Sequence, residues 1–188
     1  IPAMHTDTKK VIAQSLLLIL EHTSLEDVSV KALVDHCSIS RQTFYYHFQD
    51  IFEVLEWDAK IGVEQGLAES LRATHPKDAI FILVEKTMAR RKVIRKLLRS
   101  GHRAECEHLL VNAVSTYLQE LFHRQWPNHS LPASDVQAFL DFHIYGLVGM
   151  LLKHCESSAP DVAQLVDQIY RVLSGEMENQ LGPARFSL

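Results

Sequence analysis

The chain has 188 residues, 47% of them hydrophobic and 22% charged, with a formal net charge of −4 at neutral pH. That length suits one compact unit or two small ones, and the negative balance excludes a protein that grips nucleic acid by bulk charge alone. Three widely spaced cysteines, Cys37, Cys106 and Cys155, argue against a disulfide frame and for a reduced, cytoplasmic setting; no run of about 18 apolar residues and no signal-peptide pattern appears, so no membrane span is expected.

Ile1-Pro2-Ala3 precede Met4 and are left out of the fold reading. Thr6 or Thr8 can cap a first helix that runs to about His22, with Val11, Ile12, Ser15, Leu16 and Ile19 on one face and Leu17, Leu18 and Leu20 widening it. After a connection over Thr23 to Val28, Val30, Leu33, Val34 and Cys37 recur at helical spacing, with Ser29 placed as N-cap. Cys37-Ser38-Ile39 breaks the pattern, and Ser40 offers a second N-cap to the run Arg41 to Phe48. On a helix at about 100° per residue, Phe44 and Phe48 fall together and can bury. Arg41, Gln42, Thr43, Tyr45, Tyr46 and His47 spread over the outer arc. Two outward tyrosines beside Arg, Gln, Thr and His form a hydrogen-bonding face rather than a packing face.

Helix, tight turn and polar-faced second helix make a helix-turn-helix, whose second helix enters the DNA major groove. Ser40, Thr43, Phe44, Tyr45, Tyr46, His47 and Phe48, as S-x-x-TFYYHF, resemble the TetR family of bacterial regulators. The resemblance runs from near Thr6 to about Leu55 and continues beyond only as an all-helical plan. It implies that Arg41, Gln42, Thr43 and Tyr46 reach bases or nearby phosphates. It implies that Tyr45 and His47 hold the phosphate backbone, with Ser29 and Lys31 as backbone contacts one helix earlier. The chemistry agrees: Arg and Gln carry the paired geometry that reads guanine and adenine edges, while hydroxyls and cations serve phosphates. Three features depart from the family pattern. The turn holds Cys37-Ser38 in place of Ala-Gly, Ile51 stands where a phosphate-binding Lys is usual, and through Trp57 four basic residues face eight acidic ones.

Asp50 and Glu53 form a capping-box pattern for a helix reaching about Ala73. His75-Pro76 opens the next, with Ile80, Leu83, Val84 and Thr87 inward. Lys86 to Arg103 then carries eight basic residues and no acid, broken at Ser100-Gly101. It reads either as a solvated face paired with acids elsewhere or as a contact to DNA or another anionic partner. Glu105 to about Gln125 is helical, Trp126 to Pro132 a loop, and Ser134 with Gln137 a second capping-box pattern. The helix behind it is apolar on more than one face and carries Gly146 and Gly149; Ser158-Ala159-Pro160 opens the last long helix. The short connection makes these two helices antiparallel neighbours, and pairing with a second copy would cover their surplus apolar surface. FHIYGLVGMLLKHCESS, residues 142–158, also resembles, loosely, regulators near the activator of dihydroxyacetone kinase operons, which points to a protein effector as an alternative to a small molecule.

His102, Cys106 and His108 share helical spacing, but no further ligand completes a metal set, and no phosphate loop or nucleophile elbow appears. No metal, no cofactor and no enzymatic activity are expected. Phe81, Tyr117, Phe122, Phe139, Phe142 and His143 are the candidates for an effector pocket. The expected architecture is all-α. An N-terminal helix-turn-helix DNA-binding domain spans 4–50, and an effector-binding and dimerisation bundle spans 51–188, dimerising through its last two long helices. The expected partners are a double-stranded DNA operator, a second copy of the chain and an unidentified small-molecule or protein effector.

Overall fold

The computed structural model describes residues 2–181, which are all-helical with no strand among them. The helices are α1 (Pro2–His22), α2 (Val30–Cys37), α3 (Arg41–His47), α4 (Ile51–Ser70), α5 (Pro76–Ala89), α6 (Arg91–Leu98), α7 (Arg103–Gln125), α8 (Ala133–Glu156), α9 (Val162–Leu173) and α10 (Glu176–Leu181). Contacts divide the chain into two compact units, one of residues 1–64 and 90–113, the other of 65–89 and 114–188. Packing therefore adds 51–64 and 90–113 to the residues expected to form the N-terminal domain.

In the first unit α1 packs on α2 and α6, and α2 on α3. The buried positions of α1 are Ile12, Ala13, Ser15, Leu16 and Leu20, whereas Val11 and Leu18 are exposed. Spacing of four from Ile12 to Leu16 to Leu20 sets the face; of the leucines expected to widen it, Leu20 is buried, Leu17 half-buried and Leu18 exposed. It begins at Pro2, so Thr6 and Thr8 lie within the helix and neither caps it. Ser29 does cap α2, accepting from the Ala32 N–H at 3.1 Å. α2 ends on Ser38 at φ 54°, ψ 41°, the one non-glycine residue with positive φ among those described. A Cβ there opposes the carbonyl, which costs roughly 1–2 kcal/mol. Ser38→Gly is expected to raise unfolding free energy by about 0.5–1 kcal/mol after glycine's greater unfolded-state entropy is subtracted. Urea denaturation measures this, and a lower midpoint would contradict it.

Asp50 caps α4 by accepting from Glu53 N–H at 2.8 Å, while the Glu53 carboxylate reaches back to Gln49 N–H. The basic stretch is divided at Arg90, between α5 and α6. Much of it is neutralised locally: Arg90 forms a two-pronged pair with Asp58, Lys92 pairs with Glu21, Lys86 with Glu69 and Arg103 with Glu107. Lys96 donates to the Thr23 carbonyl. The first unit as a whole holds twelve basic and twelve acidic residues, so the acidic excess through Trp57 is offset by residues 90–113.

In the second unit α9 packs closely on α5, and α8 also meets α5. The small Ala79 and the large Ile80, Leu83, Val84 and Met88 give α5 a broad buried face. The two helices expected to be antiparallel neighbours thus have α5 as an element that both meet. Pro132 occupies the N-cap of α8 without a side-chain bond, so Ser134 lies inside the helix and bonds Asp135, and Gln137 bonds Asp141. The Ser134–Gln137 capping box does not form, because Pro132 starts the helix earlier. Asp161, the residue after Ser158-Ala159-Pro160, caps α9 by accepting from Gln164 N–H. Among the described residues α8 alone is long and apolar enough to cross a membrane, although no continuous apolar run marks it. Its Leu140, Ile144, Leu147, Val148, Leu151 and Cys155 are buried in the protein.

Candidate functional site

Seven residues are too few for a helix to be stable alone. α3 is held by its cap and by two rings: Phe44 is fully buried and Phe48 nearly so. Their centroids lie 6.1 Å apart, and Phe48 meets Trp57 edge-on at 6.1 Å. Lys9 sets its ammonium 4.8 Å above the Phe48 ring, a cation–π contact that no local pattern announces because its partners are distant in sequence.

With Phe44 turned inward, the opposite face must turn outward. Arg41, Gln42, Tyr45 and Tyr46 are exposed, Tyr46 at 70% and Tyr45 at 58%; Thr43 and His47 are half-buried. Tyr45 meets Phe44 edge-on at 5.4 Å, and Tyr46 meets His47 edge-on at 5.1 Å. These contacts hold large rings on the surface without hiding them.

The cap changes what Thr43 can do. Ser40 Oγ accepts from Thr43 N–H at 3.0 Å, and the two hydroxyls bond each other at 2.8 Å. One hydroxyl proton is used between them; the other is left to donate outward, whichever residue carries it. Ser29 Oγ accepts within its own cap and keeps its proton for an outside acceptor, and Lys31 is exposed beside it. Ile51 is half-buried at the start of α4 and offers no charge.

The second unit holds a partly open cavity of about 580 Å³. Of the six effector-pocket candidates, Tyr117, Phe122, Phe139 and His143 line it; Phe81 and Phe142 do not, being 47% and 76% exposed. Those two lie on helix faces turned away from α5–α8 packing, which a ring count cannot reveal. Ser70, His75, Arg124, Trp126 and Tyr170 also line the cavity. Ser70, Arg124 and Tyr170 carried no sequence signal, because only the tertiary fold brings the end of α4, the end of α7 and α9 together. Tyr117 is buried, donates to the Ala79 carbonyl and pairs with Ser70 Oγ, which bonds the Gly66 carbonyl. Burial pushes its hydroxyl pKa up to about 12, so it remains a neutral donor.

Elsewhere, burial pushes the Cys106 thiol up to about 11, far from the thiolate a metal needs. His108 lies 3.2 Å from the Asn112 amide and His102 stacks on Phe52 at 5.9 Å. No group of three His, Cys, Asp or Glu able to hold a metal occurs among the described residues.

No protein-family model matches the chain, and no curated protein matches it in sequence. Among solved structures it is similar to the dihydroxyacetone kinase operon activator DhaS, with a TM-score of 0.70 and 17% identity over 91% of this chain and 96% of that one. The likeness extends over both units and establishes a shared all-α fold.

Proposed function

We propose that the chain is a TetR-type DNA-binding transcriptional regulator. It acts as a cytoplasmic homodimer, repressing from a palindromic operator until an effector binds. The observation that carries this reading is α3 itself: a capped seven-residue helix with its two phenylalanines inward and Arg41, Gln42, Tyr45 and Tyr46 outward. The fold shared with a transcriptional activator agrees with it. In this reading 4–50 touch DNA, with Ser29, Lys31, Tyr45 and His47 on the backbone and Arg41, Gln42, Thr43 and Tyr46 toward bases. Residues 51–188 carry the cavity and the dimer contact. Effector control requires a ligand that binds the released form more tightly than the DNA-bound form.

A mobility shift on the promoters flanking the gene is expected to give a specific, salt-sensitive complex. Arg41→Ala should cost about 1–3 kcal/mol against the preferred site and relax its base preference. Equal weakening on every sequence would reassign Arg41 to the phosphate backbone. Absence of any specific complex would remove the reading.

A second reading, a co-activator or a protein-partner-dependent regulator that binds DNA weakly alone, is favoured by the neutral first unit and by Ile51. Affinity purification from the native cell, followed by the same mobility shift with and without the recovered partner, separates the two.

A further inference from the structure

We propose that the cavity of the second unit takes an apolar monocarboxylate, an alkyl or aryl acid whose carboxylate sits at the Arg124 end. The inference rests on the effector reading above and goes further by naming the ligand class.

The cavity wall is mostly apolar, with leucine and aromatic side chains prominent, which sets an apolar body for the ligand. Its polar groups are unbalanced in charge. Arg124 lines the cavity together with His75 and His143, and no Asp or Glu does. A cationic ligand would therefore enter a site with a guanidinium and no counter-charge. An anion would find one.

Arg124 and His75 are both tied to the α4–α5 connection. The Arg124 guanidinium donates to the Leu71 carbonyl, which holds it beside the α4–α5 connection. Thr74 and His75 of that connection line the same cavity. His75 Nδ1 accepts from the Lys77 N–H at 3.2 Å, so its proton sits on Nε2 and that nitrogen is a donor. One carbonyl bond uses only part of the five-donor guanidinium, leaving N–H groups for a carboxylate. The two hydroxyl protons of Tyr117 and Ser70 are shared among the Ala79 carbonyl, the Gly66 carbonyl and each other, so neither group has a proton left for an anion. His143 Nδ1 lies 2.7 Å from the Phe139 carbonyl, which can only accept, so its Nε2 is left as an acceptor. Arg124 and His75 thus keep donors for an anion beside the α4–α5 connection, Arg124 alone bringing a full positive charge, and Leu83, Leu140 and Leu147 are among the apolar lining.

The test is calorimetric titration of the whole protein with decanoate, decanol and decylamine. Decanoate is expected to bind at least about tenfold more tightly than decanol, as one charge-assisted contact implies, with decylamine weakest. Arg124→Gln should abolish the preference of acid over alcohol while decanol affinity is kept. Arg124→Lys should retain the preference, which guards against a fold defect as the cause. Equal binding of all three chains, or a preference that survives in Arg124→Gln, overturns the carboxylate assignment and leaves the effector cavity standing. Binding of none of the three overturns both the assignment and the effector role of the cavity, and the mobility shift on DNA judges the regulator reading independently.

Discussion

Phe44→Ala is expected to cost about 3–5 kcal/mol of stability and to abolish sequence-specific DNA binding. The side chain is wholly buried, so truncation removes its transfer energy and leaves a cavity. α3 has few other holds: the Ser40 cap is worth about 1 kcal/mol, and Phe48 secures only the last turn. Loss on this scale is a large fraction of a small protein's stability, typically about 5–15 kcal/mol. Two tryptophans let the units be followed separately. Trp57 meets Phe48 in the first unit, and Trp126 lines the cavity of the second. Urea unfolding of single-tryptophan variants should show the midpoint reported by Trp57 falling more than that reported by Trp126. Phe44→Leu, which keeps most of the volume, should lose less. A cost below about 1 kcal/mol, at the scale of a surface change, would mean that Phe44 does not orient α3. The outward pose of Tyr45 and Tyr46 would then lack its cause.

The helix-turn-helix was legible because its determinants are local. Ser29 and Ser40 cap the helices they precede, and Phe44 and Phe48 bury because they lie four apart. Ser38 takes the left-handed position that the break in periodicity marks. The second unit was less legible because its determinants are not local. Tyr117 bonds residues from two other helices, and Arg124 reaches Leu71 across the unit. Phe139 and Phe142 are three apart on α8, yet the first lines the cavity and the second is the more exposed. Periodicity showed α8 to be apolar on more than one side, but could not say which side its own chain covers. Likewise Pro132 rather than Ser134 opens α8, because the proline ring fits the turn before the helix and draws its start forward.

That uncovered side leads to the second large effect. Ala138, Phe142, Tyr145, Gly146 and Gly149 recur along α8 and are all exposed, Phe142 at 76% and Tyr145 at 64%. A Cβ built on Gly146 or Gly149 meets nothing within 4 Å, so neither glycine is required by packing inside the chain. Both are suited instead to a close approach from outside. If two copies pair through this stripe, Phe142→Asp buries a carboxylate against an apolar partner, or against its own symmetry mate, at a cost of several kcal/mol. The variant should sediment as a monomer at concentrations where the parent sediments as a dimer, with association weakened by about a hundredfold or more for every 3 kcal/mol lost. Its helical circular dichroism should be unchanged, because Phe142 is largely exposed and its edge-on contact with the adjacent His143 is a surface contact, not a core one. Operator affinity should fall with the dimer, since a lone reading head engages one half-site and forfeits the gain from the second. A Phe142→Asp protein that remains a dimer of undiminished stability would move the interface off α8 and leave the stripe for another partner. A monomer that keeps full affinity for the palindrome would show that the two reading heads do not act together.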